Sequence, residues 1–203
     1  MKKQLILLAA LGCTIASMQS CAVSSGAQTA DEINSKPSAE AATTCFIELK
    51  DGSFRRFKTL KLVTGVFTAP HLLADGKEKI TASQIKAYQN SEHYAVSQDL
   101  FKDNIRSKSA VETLPGFAVR IAKGKLNIYC KKYYNGVGTA EQLFVQKDGG
   151  DILAFTPELM ASMLKDHPEA EAFFNSTKKI TPASKRLQAT VALMNKGQLL
   201  SMN

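Results

Sequence analysis

Four cysteines and three histidines are the residues of this 203-residue sequence best suited to chemistry. The histidines are His71, His93 and His167. None stands in an HExxH or other zinc-type spacing, so each is read as a surface or packing residue rather than a ligand. A Cys–His nucleophile pair can be drawn from Cys130 and His93. However, Cys130 falls on the apolar side of an alternating strand, where a thiol is buried and inert. Gly136-Val-Gly138 and Gly149-Gly150 lack the strand and helix context of phosphate-cradling loops and read as turns. There is no Gly-x-Ser-x-Gly elbow, and the acidic residues are too scattered to nominate an acid/base couple. No catalytic, cofactor-binding or metal-ligating residue is assigned, and no cofactor is expected.

Cysteine chemistry of another kind is written near the N-terminus. Lys2 and Lys3 are followed by no charge until Asp31, and Leu5 to Cys13 is continuously apolar or small. A membrane-spanning helix wants about 20 apolar residues. This run is interrupted by Thr14, Ser17, Gln19 and Ser20, which is the form of an export signal. Its end, Met18-Gln19-Ser20-Cys21, resembles a bacterial lipobox, with a small residue just before the cysteine. Residues 1–20 are therefore expected to be a lipoprotein signal peptide, with Cys21 carrying lipid, palmitate included. The rival is ordinary cleavage after Ala22 or Ala27. Removal of residues 1–20 takes Cys13 away and leaves Cys21, Cys45 and Cys130, an odd number for an exported chain. Lipid on Cys21 leaves two.

Residues 21–44 read as the lipidated cysteine and a flexible tether. Of the 23 residues from Ala22 to Thr44, 13 are Ala, Ser or Thr, and only Val23 and Ile33 are large and apolar. Such a segment cannot bury enough surface to offset its ordering entropy. As a flexible coil it spans on the order of 25 Å.

Residues 45–203 are expected to form a single globular domain. Its 44% hydrophobic and 22% charged composition, counted over the whole chain, excludes disorder throughout. Asp51-Gly52 joins Cys45–Lys50 to Ser53–Lys58, and a two-residue turn would pair Leu49 with Phe54, Glu48 with Arg55 and Phe46 with Phe57. Asp75-Gly76 repeats the signal after a run that Pro70 demotes to an edge or bulged strand. A turn at Lys123-Gly124 pairs Ile121 with Leu126, Val119 with Ile128 and Phe117 with Cys130. That places six apolar residues on one face and turns Arg120, Asn127 and Lys131 to solvent. Leu143–Gln146 and Ile152–Phe155 flank Asp148-Gly149-Gly150 as a fourth hairpin. Cys45 and Cys130 both point inward. Two inward cysteines in an exported domain suit a disulfide, with two small buried hydrophobes as the alternative.

The period then changes. Thr156-Pro157-Glu158 is a helix start, with Leu159, Met160, Met163 and Leu164 on one face. His167-Pro168 starts a second helix and Thr181-Pro182 a third, the last expected to end at Gly197. Strands first and helices last predict an α+β domain: an antiparallel hairpin sheet or partly closed barrel of seven or eight strands, followed by two or three C-terminal helices. Ser97 to Gly116 fits neither period, unless a short helix forms on Leu100, Phe101 and Ile105.

The formal charge is +8, and removal of residues 1–20 leaves 24 basic against 18 acidic residues. Arg55-Arg56-Phe57-Lys58, Lys131-Lys132-Tyr133-Tyr134, and Lys178-Lys179 with Lys185-Arg186 are local concentrations. An exported protein is not expected to meet nucleic acid. Its anionic partners would be lipid headgroups, lipopolysaccharide or acidic glycans, against the plainer reading of solvated faces.

Lys61-Leu-Val-Thr-Gly-Val66, His71-Leu-Leu-Ala-Asp-Gly76, Ile85-Lys-Ala-Tyr-Gln89 and Phe144-Val-Gln-Lys-Asp-Gly149 resemble small lipoproteins of the Bacteroidota, over roughly Cys45 to Asn195. The resemblance carries no activity. It does imply that an acidic run after the lipidated cysteine marks surface display. Ala22-Val-Ser-Ser-Gly26 has none, so what the resemblance implies is a domain on the periplasmic side of the outer membrane. The leading expectation is a non-catalytic, outer-membrane-anchored lipoprotein with a binding or structural role, its membrane contact made through Cys21. The alternatives are an envelope enzyme using separated residues such as His71, His93 and Asp99, and a periplasmic binder of a small apolar ligand.

Overall fold

The computed structural model describes residues 45–65, 67–102, 112–180 and 182–201; Cys13, Cys21, the tether and Ile105 lie outside them. Within the described residues eleven strands come first: β1 (Cys45–Leu49), β2 (Phe54–Phe57), β3 (Leu60–Val63), β4 (His71–Ala74), β5 (Glu78–Ile80), β6 (Ile85–Gln89), β7 (Tyr94–Ser97), β8 (Phe117–Ala122), β9 (Leu126–Tyr134), β10 (Thr139–Lys147) and β11 (Leu153–Ala154). Among the described residues three helices follow: α1 (Pro157–Leu164), α2 (Pro168–Ser176) and α3 (Ala183–Ser201). The main sheet has the order β11-β10-β9-β8-β7-β6-β1-β2, and β3-β4-β5 make a second, smaller one. All these pairings are antiparallel. The α+β class holds, and the large sheet is open, with β2 and β11 at its edges.

One face of the large sheet carries two cores side by side. Around β8 to β10, Leu126, Ile128, Cys130, Leu143 and Val145 pack against Met160, Leu164, Phe174, Leu187 and Val191 of the helices. Around β1, β6 and β7, Ile47, Tyr88, Ala95 and Phe117 pack against Leu60, Leu72 and Ile80 of the small sheet. The opposite face is covered too. Ala87, Val96, Ala118, Tyr129 and Phe144 pack with Phe101 and Ile152, two residues joined by a parallel bridge. Burial on both faces overturns the one-sided reading of β8 and β9. Ile128 is core as expected, but Val119 is only half-buried, Arg120 and Asn127 are half-buried rather than exposed, and Lys131 is 1% exposed.

Turn chemistry explains the register corrections. At Asp51-Gly52 the loop holds three residues: Leu49 N–H donates to Ser53 O at 2.8 Å, and Gly52 takes φ +90°. Only glycine does this readily, and such a loop is a common hairpin alternative to the two-residue turn. The register slips by one, setting Phe46 opposite Arg56 and Ile47 opposite Arg55. Glu48 therefore loses Arg55, which grips Glu78 of β5 with both ends of its fork at 2.7 and 2.6 Å. The β8–β9 pairing is offset by two, with Val119 opposite Cys130 and a bulge between Arg120 and Ala122. Asp148-Gly149 behaves as expected of a tight turn, with φ of +50° and +73° and Gly150 N–H donating to Lys147 O.

The starts of α1 and α2 follow their sequence signals, whereas Thr181, the expected start signal of α3, lies outside the described residues. Thr156 Oγ1 accepts from Leu159 N–H at 3.1 Å, and proline opens both α1 and α2. The end of α3 does not: the helix runs through Gly197 to Ser201, since one glycine costs a helix only about 1 kcal/mol. Among the described residues of the Ser97–Gly116 segment, a 3-10 turn, Gln98–Leu100, leads to buried Phe101 and leaves Leu100 exposed.

Candidate functional site

The back face of the large sheet gathers the most unusual polar groups. Lys131 is on β9, flanked on the sheet by Ala118 and Val96, whose small side chains leave room for its long stem. Its ammonium donates to Gln98 Oε1 at 2.8 Å, and burial lowers its pKa from 10.5 to about 8. Two residues along β9, Tyr129 begins a polar row. Its hydroxyl donates to Gln146 Oε1 at 2.8 Å, and Asn127 Nδ2 donates to the same oxygen at 3.1 Å. Arg120 lies opposite Tyr129 in the ladder and sets its guanidinium 4.1 Å from the centre of the Tyr94 ring. Burial pushes the Tyr94 hydroxyl up to about 12. Burial also raises Tyr129, against the pull of Arg120. This face offers two cations and several hydrogen-bond donors beside an aromatic core. It can hold a polar or anionic group, but it does not pair a nucleophile with a base. Cys130, next to Lys131 in sequence, points to the other face.

The residues nominated for chemistry are not brought together. His93 sits in the β6–β7 turn, with Nε2 3.1 Å from Tyr88 Oη, and burial keeps its pKa below the usual imidazole value. Asp99 lies beyond the far end of β7, about 13 Å along the strand, and ion-pairs with Lys50 at 3.7 Å. His71 belongs to the small sheet, its Nδ1 2.9 Å from Ala69 O. His167 precedes α2 and makes no side-chain cap there. Among the described residues no group of three His, Cys, Asp or Glu is placed to hold a metal. Burial lifts the Cys130 thiol to about 12, which removes it as a nucleophile.

Cys45 and Cys130 are both buried, as expected, and both free. The Cys45–Cys130 disulfide is ruled out by sheet order. Strands β6, β7 and β8 separate β1 from β9, about 19 Å at the usual strand spacing. A disulfide needs Cα atoms within about 7 Å.

The basic concentrations divide. Arg55 is held by Glu78 and Lys132 by Glu112 at 3.0 Å, whereas Lys178, Lys179 and Lys185 are exposed. Arg186 is buried, its guanidinium stacked 4.3 Å from the centre of the Phe174 ring. Lys131, Arg120 and Arg186 carry no sequence signal of burial. Their covers come from distant segments, and only the odd excess of cations in the strand and in α3 hints at them. No family model matches the chain, and no curated protein or solved structure is significantly similar to it.

Proposed function

We propose that this is a lipid-anchored envelope protein of the outer membrane, tethered through Cys21, with its domain on the periplasmic side and a binding or structural rather than catalytic role. The observation that carries the reading is the Ser20-Cys21 end of a basic, apolar leader, followed by an Ala/Ser/Thr-rich stretch that stops where β1 starts. The position of β1 supports it. This strand lies between β6 and β2, and Cys45 is already buried, so the described domain is engaged in the fold from the residue that follows the tether. Dispersal of His71, His93 and Asp99 favours binding over catalysis. Fractionation of expressing cells tests the anchor. Wild type should take up a labelled fatty acid and sediment with membranes, and Cys21→Ala should lose the label and leave the membrane fraction. A Cys21→Ala protein that keeps the label contradicts the reading.

A further inference from the structure

Arg186 is 8% exposed, and its Nε is a buried donor with no hydrogen-bond partner. Among the described residues its guanidinium makes no ion pair, and Glu169 and Glu171 of the neighbouring α2 do not reach it. Stacking on Phe174 satisfies one face of the guanidinium plane. It leaves the buried Nε–H unpaired, on one edge of a planar guanidinium fork that matches an oxyanion. A buried arginine is ordinarily paired, because an uncompensated buried charge is costly.

The sequence that follows Glu171 is basic throughout. From Ala172 to Asn203 the sequence holds Lys178, Lys179, Lys185, Arg186 and Lys196 and not one Asp or Glu. Arg186 lies in the opening turns of the 19-residue α3, whose first turn has no acid and whose dipole presents its positive end there. We infer that Arg186, at the start of α3 beside Phe174 and with exposed Lys178, Lys179 and Lys185 close to it in sequence, forms a binding site for a phosphate-type oxyanion. A planar fork with further cations close in sequence suits a tetrahedral, multiply charged group better than a single carboxylate. The phosphate is either free or part of a lipid headgroup.

The test uses protein purified from expressing cells, melted in inorganic phosphate and in chloride at matched ionic strength. Sedimentation of the anchorless Cys21→Ala protein, with and without Arg186→Met, with phosphatidylglycerol and phosphatidylcholine vesicles gives the second arm. Phosphate at a hundredfold above its dissociation constant should raise the wild-type melting temperature by about 5–10 °C. Arg186→Met, which keeps an apolar stem over Phe174, should lose that rise and melt no lower than wild type in chloride. A phosphate-driven rise identifies free phosphate as sufficient. Arg186-dependent binding to phosphatidylglycerol vesicles alone identifies the headgroup. Equal behaviour of wild type and Arg186→Met in both arms overturns the site. If Arg186→Met does not fold, the Lys178→Ala/Lys179→Ala/Lys185→Ala protein carries the test. A loss of tenfold or more in affinity for phosphate or for the vesicles supports the site, and unchanged affinity overturns it.

Discussion

Lys131 shows how a single side chain reports the second covered face of the sheet. Its folded pKa of about 8 lies below the ordinary 10.5, so between those values the unfolded chain holds the proton more tightly. Stability contributed by this residue must then rise with pH from about 8 to about 10.5 and be absent at lower pH. Relative to Lys131→Met, wild type should gain on the order of 3 kcal/mol across that window in denaturant melts. A constant difference between the two proteins would place Lys131 in water. The cysteines give a second residue-scale prediction. Both Cys45 and Cys130 should resist alkylation in the native protein and react on unfolding without a reductant. Inertness until a reductant is added would mean that they are bonded. Inward placement of both thiols is legible from strand alternation, because period two needs only local sequence. Their separation is not, because it depends on which strands intervene.

At the scale of the element, the β8–β9 hairpin combines what sequence resolves with what it does not. Alternation correctly assigns Leu126, Ile128 and Cys130 to a core face. It cannot report that Asn127 on the other face accepts from Gly124 N–H and donates to Gln146. Ile128→Ala should cost about 2–5 kcal/mol, as for a fully buried large-to-small change. Asn127→Ala should cost about 1 kcal/mol, the net value of its lost hydrogen bonds, instead of the near-zero effect of a plain surface site. Equal costs would contradict this packing. Gly124 is legible as a turn residue, and a side chain of α3 gives it a second reason to be small. A Cβ there would collide with the Asn195 side-chain amide, which α3 aims at the turn and which donates to Lys123 O at 2.9 Å. Gly124→Ala should therefore destabilise the protein by about 1–3 kcal/mol, the usual cost of overpacking, and Asn195→Ala should relieve much of that loss in the double variant. Additive effects would show that helix and turn do not meet.

For the whole molecule, the α+β class and the three C-terminal helices follow from a change of hydrophobic period that any window of the sequence displays. The division into an eight-stranded and a three-stranded sheet does not. Asp75-Gly76 marks a hairpin, yet nothing local distinguishes a strand that extends the main sheet from one that packs across its face. The polar groups of the back face escaped for the same reason: Phe101 and Ile152, far apart in sequence, meet there and close over β8 to β10. The proposed anchor is different in kind, since the sequence pattern that suggests it is local and lies entirely before Cys45. Intact-mass measurement of the protein recovered from membranes tests that central claim. The expected species has lost residues 1–20 and begins at Cys21 with the added mass of a diacylglyceryl group and a further fatty acyl chain. A species that begins after Ala22 or Ala27, or one that starts at Cys21 with no added mass, would contradict it.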